Sequence, residues 1–180
     1  MNRLSLLVDL ASLLGREVDF DALLAATCER VAEALAAERA TIWLFDAETG
    51  DLVSRVAMLP ELTTLRLAPG RGIAGWVART GDNVRTGDPA ADPRFDASVD
   101  RTTGFRTRSI LAVPIADGAG PVRGVVQVLN HKDAPFDKED TQYLVALAGQ
   151  IARALSLTTL RPANERGPGL TLRGPFNRIV

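Results

Sequence analysis

Residues 107–130 read TRSILAVPIADGAGPVRGVVQVLN, and this stretch decides the fold. Two runs within it, 107–115 and 122–130, are apolar at both alternating sets of positions, and residues 117–120 between them have the composition of a hairpin turn. A strand that is apolar on both faces lies in the middle of a sheet that is covered on both sides. The stretch therefore predicts two central antiparallel strands with helices on both faces of the sheet.

The segments on either side predict further strands and helices. Apolar residues at three-four spacing indicate helices, and short runs of β-branched and aromatic residues between turns indicate strands. In chain order we expect a helix over residues 4–14, a helix over 19–38, strands over 40–46, 51–58 and 65–68, a short helix over 73–80, the central hairpin, and a helix over 137–160. Residues 82–104 carry Asp-Pro turns, many charges and little periodicity, which predicts a long, partly irregular connection. Together these elements predict an α+β fold with a central antiparallel sheet of five to six strands.

The composition argues against several functional classes. The 180 residues include 21 Lys and Arg against 22 Asp and Glu, without a basic run, so we expect no direct binding of nucleic acid. One Cys and one His form neither an internal disulfide framework nor the usual zinc site. The apolar residues 144–157 are too short to span a bilayer, and residues 4–14 lack the features of a signal peptide. We therefore expect a cytoplasmic protein without a membrane helix.

The order of elements and four local phrases resemble the GAF domain, a small-molecule-sensing relative of the PAS fold. Residues 71–81, RGIAGWVARTG, resemble the Gly-rich helix of that family, and residues 92–95, DPRF, resemble the acidic turn in its long loop. Residues 108–115, RSILAVPI, and 124–130, GVVQVLN, resemble its central strands. The resemblance covers residues 20–157. It implies a non-catalytic regulatory domain that binds a small molecule or a partner and controls an attached output domain.

The end of the chain has the composition of a linker. Residues 161–180 contain three prolines and three glycines and show no helical or strand period. Residues 174–180, GPFNRIV, resemble the junction that leads into the AAA+ ATPase domain of NtrC-type bacterial enhancer-binding transcription activators. The expected organisation is therefore a dimerisation helix over residues 1–16, a sensor domain over 17–160, and a linker over 161–180 towards an output domain.

The same resemblance implies a ligand pocket between one face of the sheet and its cover of loops and helices. Apolar and aromatic side chains there could stack a flat ligand, while polar and charged ones could bind an anionic or polar group. The candidate pocket residues are Leu65, Leu67, Trp76, Asp92, Arg94, Phe95, Phe105, Arg106, Arg108, Ser109 and Gln127. The alternative is that the rings are ordinary core residues, the arginines are a solvated edge, and Gln127 makes a cross-strand hydrogen bond.

The identity of the ligand stays open at this level. Family members that bind cyclic nucleotides carry a signature of Asn and Lys, then Phe, then Asp-Glu. Residues near those places are Asn130, Lys132, Phe136 and Asp140. His131 displaces the Lys, and Thr141 stands where the family has Glu, so the signature is only partly kept. Cyclic-nucleotide binding is therefore neither supported nor excluded.

Other chemistry-bearing residues favour structural roles. Four acids recur every four residues, namely Asp88, Asp92, Asp96 and Asp100, but Pro89 and Pro93 interrupt any helix that would align them for a metal ion. Cys28 lies on an apolar helix face, which indicates a core thiol, and His131 follows a strand, which indicates a surface turn. We expect no metal site and no catalytic residues. A methionine sulfoxide reductase, the enzymatic alternative, needs several reactive cysteines.

A homodimer is expected because the first helix is apolar on two sides. Its second row, Leu6, Leu10 and Leu13, needs a cover beyond its own domain. The last helix carries Leu144, Ile151 and Leu155 at matching spacing and would complete a parallel interface. Two alternatives are a monomer, in which Leu6, Leu10 and Leu13 pack on the last helix of the same chain, and a module without a pocket that only dimerises.

Overall fold

The computed structural model describes residues 20–58, 64–68, 70–118 and 120–160. The helix predicted over residues 4–14 and the linker predicted over 161–180 lie outside the described residues. The elements of the described part, numbered in chain order, are α1 (Phe20–Ala34), β1 (Ala37–Phe45), β2 (Leu52–Ala57), β3 (Arg66–Leu67), α2 (Gly72–Thr80), β4 (Val84–Thr86), a 3-10 turn (Pro89–Ala91), α3 (Ser98–Thr103), β5 (Ile110–Ile115), β6 (Gly124–His131) and α4 (Lys138–Leu160).

The strands form one antiparallel sheet in the order β3-β2-β1-β6-β5-β4. The central hairpin is confirmed: β5 pairs with β6 from Ile110 opposite Leu129 to Ile115 opposite Gly124. In its turn, the Gly120 N–H donates to the Asp117 carbonyl oxygen. The predicted α+β fold with a central antiparallel sheet is therefore confirmed.

Alternation along the central strands divides the core into two apolar layers. On β5, Leu111 and Val113 pack into the layer that lies under α1 and α4, which we call the α1–α4 layer. Their neighbours Ile110 and Ala112 pack into the layer under α2, the α2 layer. All four side chains are at most 1% exposed. The double apolar pattern of the sequence thus corresponds to a sheet covered on both faces.

The helix predicted over residues 19–38 is shorter in the structure. It ends at Ala34, and Ala36 adopts a positive φ of 45° that a helix cannot continue through. Ala37 already pairs with His131 in the sheet. The apolar spacing continues from the helix into β1, so it did not indicate where the helix ends.

The connection predicted as long and partly irregular over residues 82–104 contains three short regular elements. It holds β4, the 3-10 turn and α3, and β4 is the sixth strand of the sheet. β4 has three residues, of which Val84 alone is buried. A run this short gives no alternation that a sequence pattern could reveal.

The α4 helix starts at the predicted cap. The Asp137 carboxylate accepts the N–H of Asp140, and the Asp140 carboxylate accepts the N–H of Asp137, which is the reciprocal geometry of a capping box. Leu144 and Ile151 then face the sheet, at 0% and 1% exposure. Neither α4 nor another helix of the described residues is long and apolar enough to cross a membrane.

The burial of α4 corrects part of the expected dimer interface. Leu144 and Ile151 belong to the α1–α4 layer of their own chain, and Leu155 is half-buried against the same layer. Side chains packed in this way are not available to a second subunit, so their placement at an interface is wrong for Leu144 and Ile151. The other predicted interface row, Leu6, Leu10 and Leu13, lies outside the described residues.

Cys28 is a core residue, as predicted. It is 1% exposed in the α1–α4 layer, and burial raises the pKa of its thiol to about 12. Because only the thiolate reacts, we expect Ellman's reagent at mildly alkaline pH to label the urea-unfolded chain fully while leaving the folded chain unlabelled. Rapid labelling of the folded protein would contradict this placement.

Candidate functional site

A cavity lies on the α2 side of the sheet, beneath a cover formed by β3, α2, α3 and their adjoining segments. The cavity has a volume of about 70 Å³ and is open to solvent on one side, so it suits a small ligand rather than one of typical drug size. Its floor is formed by strand residues, namely Thr41, Trp43, Ile110, Gln127 and Leu129. Its sides and cover are formed by Leu65, Leu67, Gly72, Ile73, Ala74, Phe95, Asp96, Val99, Asp100, Thr103, Phe105 and Thr107.

The floor carries a hydrogen bond between two side chains of neighbouring strands. Trp43 Nε1 donates to Gln127 Oε1 at 3.1 Å. Thr41 stands directly opposite Gln127 in the register of β1 and β6, so all three face the same side of the sheet. The amide of Gln127 is therefore held in place at the base of the cavity.

The predicted pocket residues divide into two groups. Those that line the cavity are Leu65, Leu67, Phe95, Phe105 and Gln127. Those that lie elsewhere are Trp76, Asp92, Arg94, Arg106, Arg108 and Ser109. The first group is apolar apart from the Gln127 amide, and the second contains every charged residue that the sequence suggested. The cavity is thus less basic than predicted.

Arg94 contacts both Trp76 and Asp92, and none of these three residues lines the cavity. The Arg94 guanidinium carbon lies 4.5 Å from the centre of the Trp76 ring. Arg94 Nε and Nη2 donate to the two Asp92 carboxylate oxygens at 2.8 and 2.6 Å. These hydrogen bonds hold the pKa of Asp92 below its usual range. The ion pair neutralises the arginine and covers the ring, which corrects the placement of all three residues in the pocket wall.

The segment before β5 is attached to the end of the sheet by Asn130, which is fully buried and has a positive φ of 57°. Its Oδ1 accepts the backbone N–H groups of Arg108 and Ser109 at 2.6 and 3.3 Å. Its Nδ2 donates to the Arg106 carbonyl oxygen at 2.9 Å and to Glu38 Oε2 at 2.8 Å. One amide therefore uses all of its hydrogen-bonding capacity to connect three segments.

The side chains of Arg108 and Ser109 belong to the same polar network. Arg108 donates to the Glu38 carboxylate, and Ser109 Oγ accepts the backbone N–H of His131 at 3.0 Å. The hydrogen bond from Asn130, followed by that from Arg108, holds the pKa of Glu38 below its usual range. Arg106 is exposed and contributes its carbonyl oxygen. The expected ligand contacts at these positions are thus replaced by structural ones.

Two carboxylates of the cavity wall, Asp96 and Asp100, were not predicted as pocket residues. Asp96 accepts hydrogen bonds from the Ser98 N–H at 2.9 Å and from Arg71 Nε at 2.5 Å, which lower its pKa. Asp100 accepts the N–H and the hydroxyl of Thr107, both at 2.7 Å. The four-residue spacing singled them out only as candidate metal ligands. Within the described ranges, no group of three or more His, Cys, Asp or Glu side chains could hold a metal ion.

A sequence model of the GAF domain matches residues 19–155, which is more than half of the chain. This chain belongs to the GAF domain family. The fold agrees with that of the GAF domain of a phosphoenolpyruvate-protein phosphotransferase from Coxiella burnetii, with a TM-score of 0.76 over 88% of this chain and 95% of that one, at 21% identity. At this identity the likeness concerns the fold alone.

Two further comparisons involve proteins with enzymatic names. A free methionine-R-sulfoxide reductase from Neisseria meningitidis has a TM-score of 0.70 and 28% identity to this GAF domain, covering 85% of this chain and 87% of that one. A dual 3',5'-cyclic-AMP and -GMP phosphodiesterase 11 from Drosophila melanogaster is 43% identical over 77 residues, which are 43% of this chain. The match spans only 5% of the length of that phosphodiesterase.

The residues near the cyclic-nucleotide signature have structural positions in this GAF domain. None of Asn130, Lys132, Phe136 and Asp140 lines the cavity. Phe136 is 4% exposed, with its ring edge-on to His131 at 5.5 Å between centres. His131 Nδ1 accepts the N–H groups of Asp133 and Ala134, which confirms the predicted turn. These residues shape the end of β6 and the start of α4.

Proposed function

We propose that this GAF domain is a non-catalytic regulatory module that binds a small molecule in the cavity and controls an attached output domain. The cavity itself carries the proposal, because it is a concave, largely apolar space with a fixed amide at its base. We further propose a homodimer and, from the resemblance of residues 174–180, an AAA+ transcription activator as the output domain. The open cavity favours this function over a module that only dimerises.

A reductase function has little support from the residues of the chain. The chain contains a single cysteine, Cys28, which is buried in the α1–α4 layer and therefore does not line the cavity. Burial keeps its thiol protonated at physiological pH, since its pKa is about 12. Thiol-based reduction of a sulfoxide needs an accessible thiolate. The similarity to the Neisseria reductase is therefore best explained by a shared fold.

The proposed function predicts that filling the cavity removes its ligand. Val99 lines the cavity from α3, whereas Val145 is 43% exposed on α4, beyond the opposite face of the sheet. We expect native mass spectrometry of the domain purified from its host to detect a bound small molecule in the wild type and in Val145→Trp, and to detect none in Val99→Trp.

Retention of the compound in Val99→Trp would place it outside the cavity. A wild-type domain without any bound compound, combined with a fragment screen in which no cavity residue changes its amide chemical shift, would contradict the proposed function. Circular dichroism of both variants provides the folding control.

A further inference from the structure

The charges on the cavity wall are exclusively negative. Of the lining residues, only Asp96 and Asp100 carry a charge. The arginines near the mouth are paired: Arg71 with Asp96, and Arg66 with both Asp46 and Asp51 at 2.7 and 3.0 Å. An anionic ligand that paired with Arg66 or Arg71 would have to displace the carboxylate that each of them already holds.

Asp100 differs from Asp96 in having no cationic partner among the described residues. Its carboxylate accepts two hydrogen bonds from Thr107, and both donors are neutral. Hydrogen bonds from neutral groups hold a carboxylate in place without cancelling its charge. The wall of the cavity thus presents one fixed negative charge next to an apolar interior.

The remaining lining suits a compact ring. Phe95 and Phe105 cover the cavity, and Trp43 and Leu129 form its floor. The guanidinium of Arg39 lies 3.8 Å from the centre of the Phe105 ring without lining the cavity. A cavity with this lining favours ligands with an apolar ring. The charged groups on its wall determine which ligand charge it prefers.

Building on the proposed function, we propose that the cavity takes a small apolar ring compound that carries a cationic amine, that Asp100 binds this amine, and that anions such as phosphate esters are rejected. A like charge placed beside a half-buried carboxylate is disfavoured because the surrounding apolar groups screen it less than water does. An amine at the same place gains a charge-assisted hydrogen bond.

Three naphthalene compounds of similar size test this assignment: 2-(1-naphthyl)ethylamine, 1-naphthaleneacetamide and 1-naphthaleneacetate. Amide chemical shifts of the wild-type domain provide both the location and the affinity of each compound. We expect the amine to bind at least about tenfold more tightly than the acetate, with the amide between them. The preference should decrease as salt is added, since salt screens the charge of the carboxylate.

Asp100→Asn is the decisive variant because its amide oxygen can still accept the Thr107 N–H and its NH2 group can donate to the Thr107 hydroxyl oxygen, while the charge is lost. We expect the amine and the acetate to bind this variant with similar affinity. Asp82→Asn is the matched control, since it removes the same charge from an exposed residue that does not line the cavity. It should keep the wild-type preference.

The possible failures are distinguishable. Tighter binding of the acetate or of a cyclic nucleotide to the wild-type cavity would overturn the charge preference and leave the proposed function intact. A preference that survives in Asp100→Asn would overturn the role of Asp100. If none of the three compounds shifts any cavity residue, the amine assignment is contradicted, whereas the proposed function is contradicted only when the host-purified domain also carries no compound and the fragment screen shifts no cavity residue.

Discussion

Replacing Gly124 with alanine should destabilise the fold by about 3 kcal/mol or more, because a Cβ at this position has no room. It would lie 2.0 Å from the Trp43 carbonyl oxygen and 2.9 Å from Leu44 Cδ2. Gly124 pairs with Leu44 on one side and Ile115 on the other, so β6 cannot move away from β1 without disturbing β5. The clash also displaces Trp43, which lines the cavity.

The same substitution at Gly149 provides the control. Gly149 lies inside α4, and a Cβ there would meet no atom within 4 Å. Because alanine favours a helix over glycine, Gly149→Ala should stabilise the protein by about 0.5–1 kcal/mol. Urea denaturation of both variants measures the two effects. Equal stability of the two alanine variants would contradict the close approach of β1 and β6.

Replacing Asn130 with glycine should lower the free energy of unfolding by about 2–4 kcal/mol, since it leaves buried backbone groups without their partners. Because Asn130 has a positive φ of 57°, comparing glycine with alanine at this position separates the cost of the backbone conformation from the cost of the lost hydrogen bonds. Glycine adopts this φ without strain, whereas alanine adopts it only at a cost in free energy, so Asn130→Ala should cost about 1–2 kcal/mol more than Asn130→Gly. An alanine variant as stable as the glycine variant would contradict the strained backbone at this residue.

The same substitution predicts a change in pH dependence. In the wild type the pKa of Glu38 is lowered chiefly by the Asn130 hydrogen bond, so Glu38 stabilises the fold above its unfolded pKa, and this contribution is lost as the pH falls through the folded value. In Asn130→Gly the pKa of Glu38 should rise towards its ordinary value. Carboxyl NMR titration of both proteins measures this shift, and an unchanged pKa would exclude the role of Asn130.

The sequence predicted the elements with strong local patterns. The central hairpin was found because two runs on either side of a turn are apolar at both alternating sets of positions, which is the pattern of a strand buried on both faces. The start of α4 was found because Asp137 precedes an apolar three-four row. Both signals depend on residues that are neighbours along the chain.

The polar contacts of the site could not be predicted in the same way. Arg94 and Trp76 were expected at a ligand, but the long arginine side chain reaches Asp92 and the ring at once. The sequence did not identify Thr41 and Trp43 as cavity residues. They face the cavity because β1 pairs with β6, and these two strands lie far apart along the chain. An apolar row such as that of α4 indicates that one face of the helix is covered. It does not indicate whether the cover is the sheet of the same chain or a second subunit.

The cavity and α4 lie on opposite faces of one sheet. On β5, Ile110 borders the cavity while the next residue, Leu111, packs into the layer under α4. A molecule in the cavity would therefore not touch α4, and under the proposed function its influence would pass through the thickness of the sheet as a change of strand twist or spacing. Because packed interiors have low compressibility, a small displacement of a strand is passed on to the helix above it. Under the proposed function, residues on the α2 side of the sheet select the ligand and residues on the α1–α4 side pass on the response, so the first set can change without altering the second.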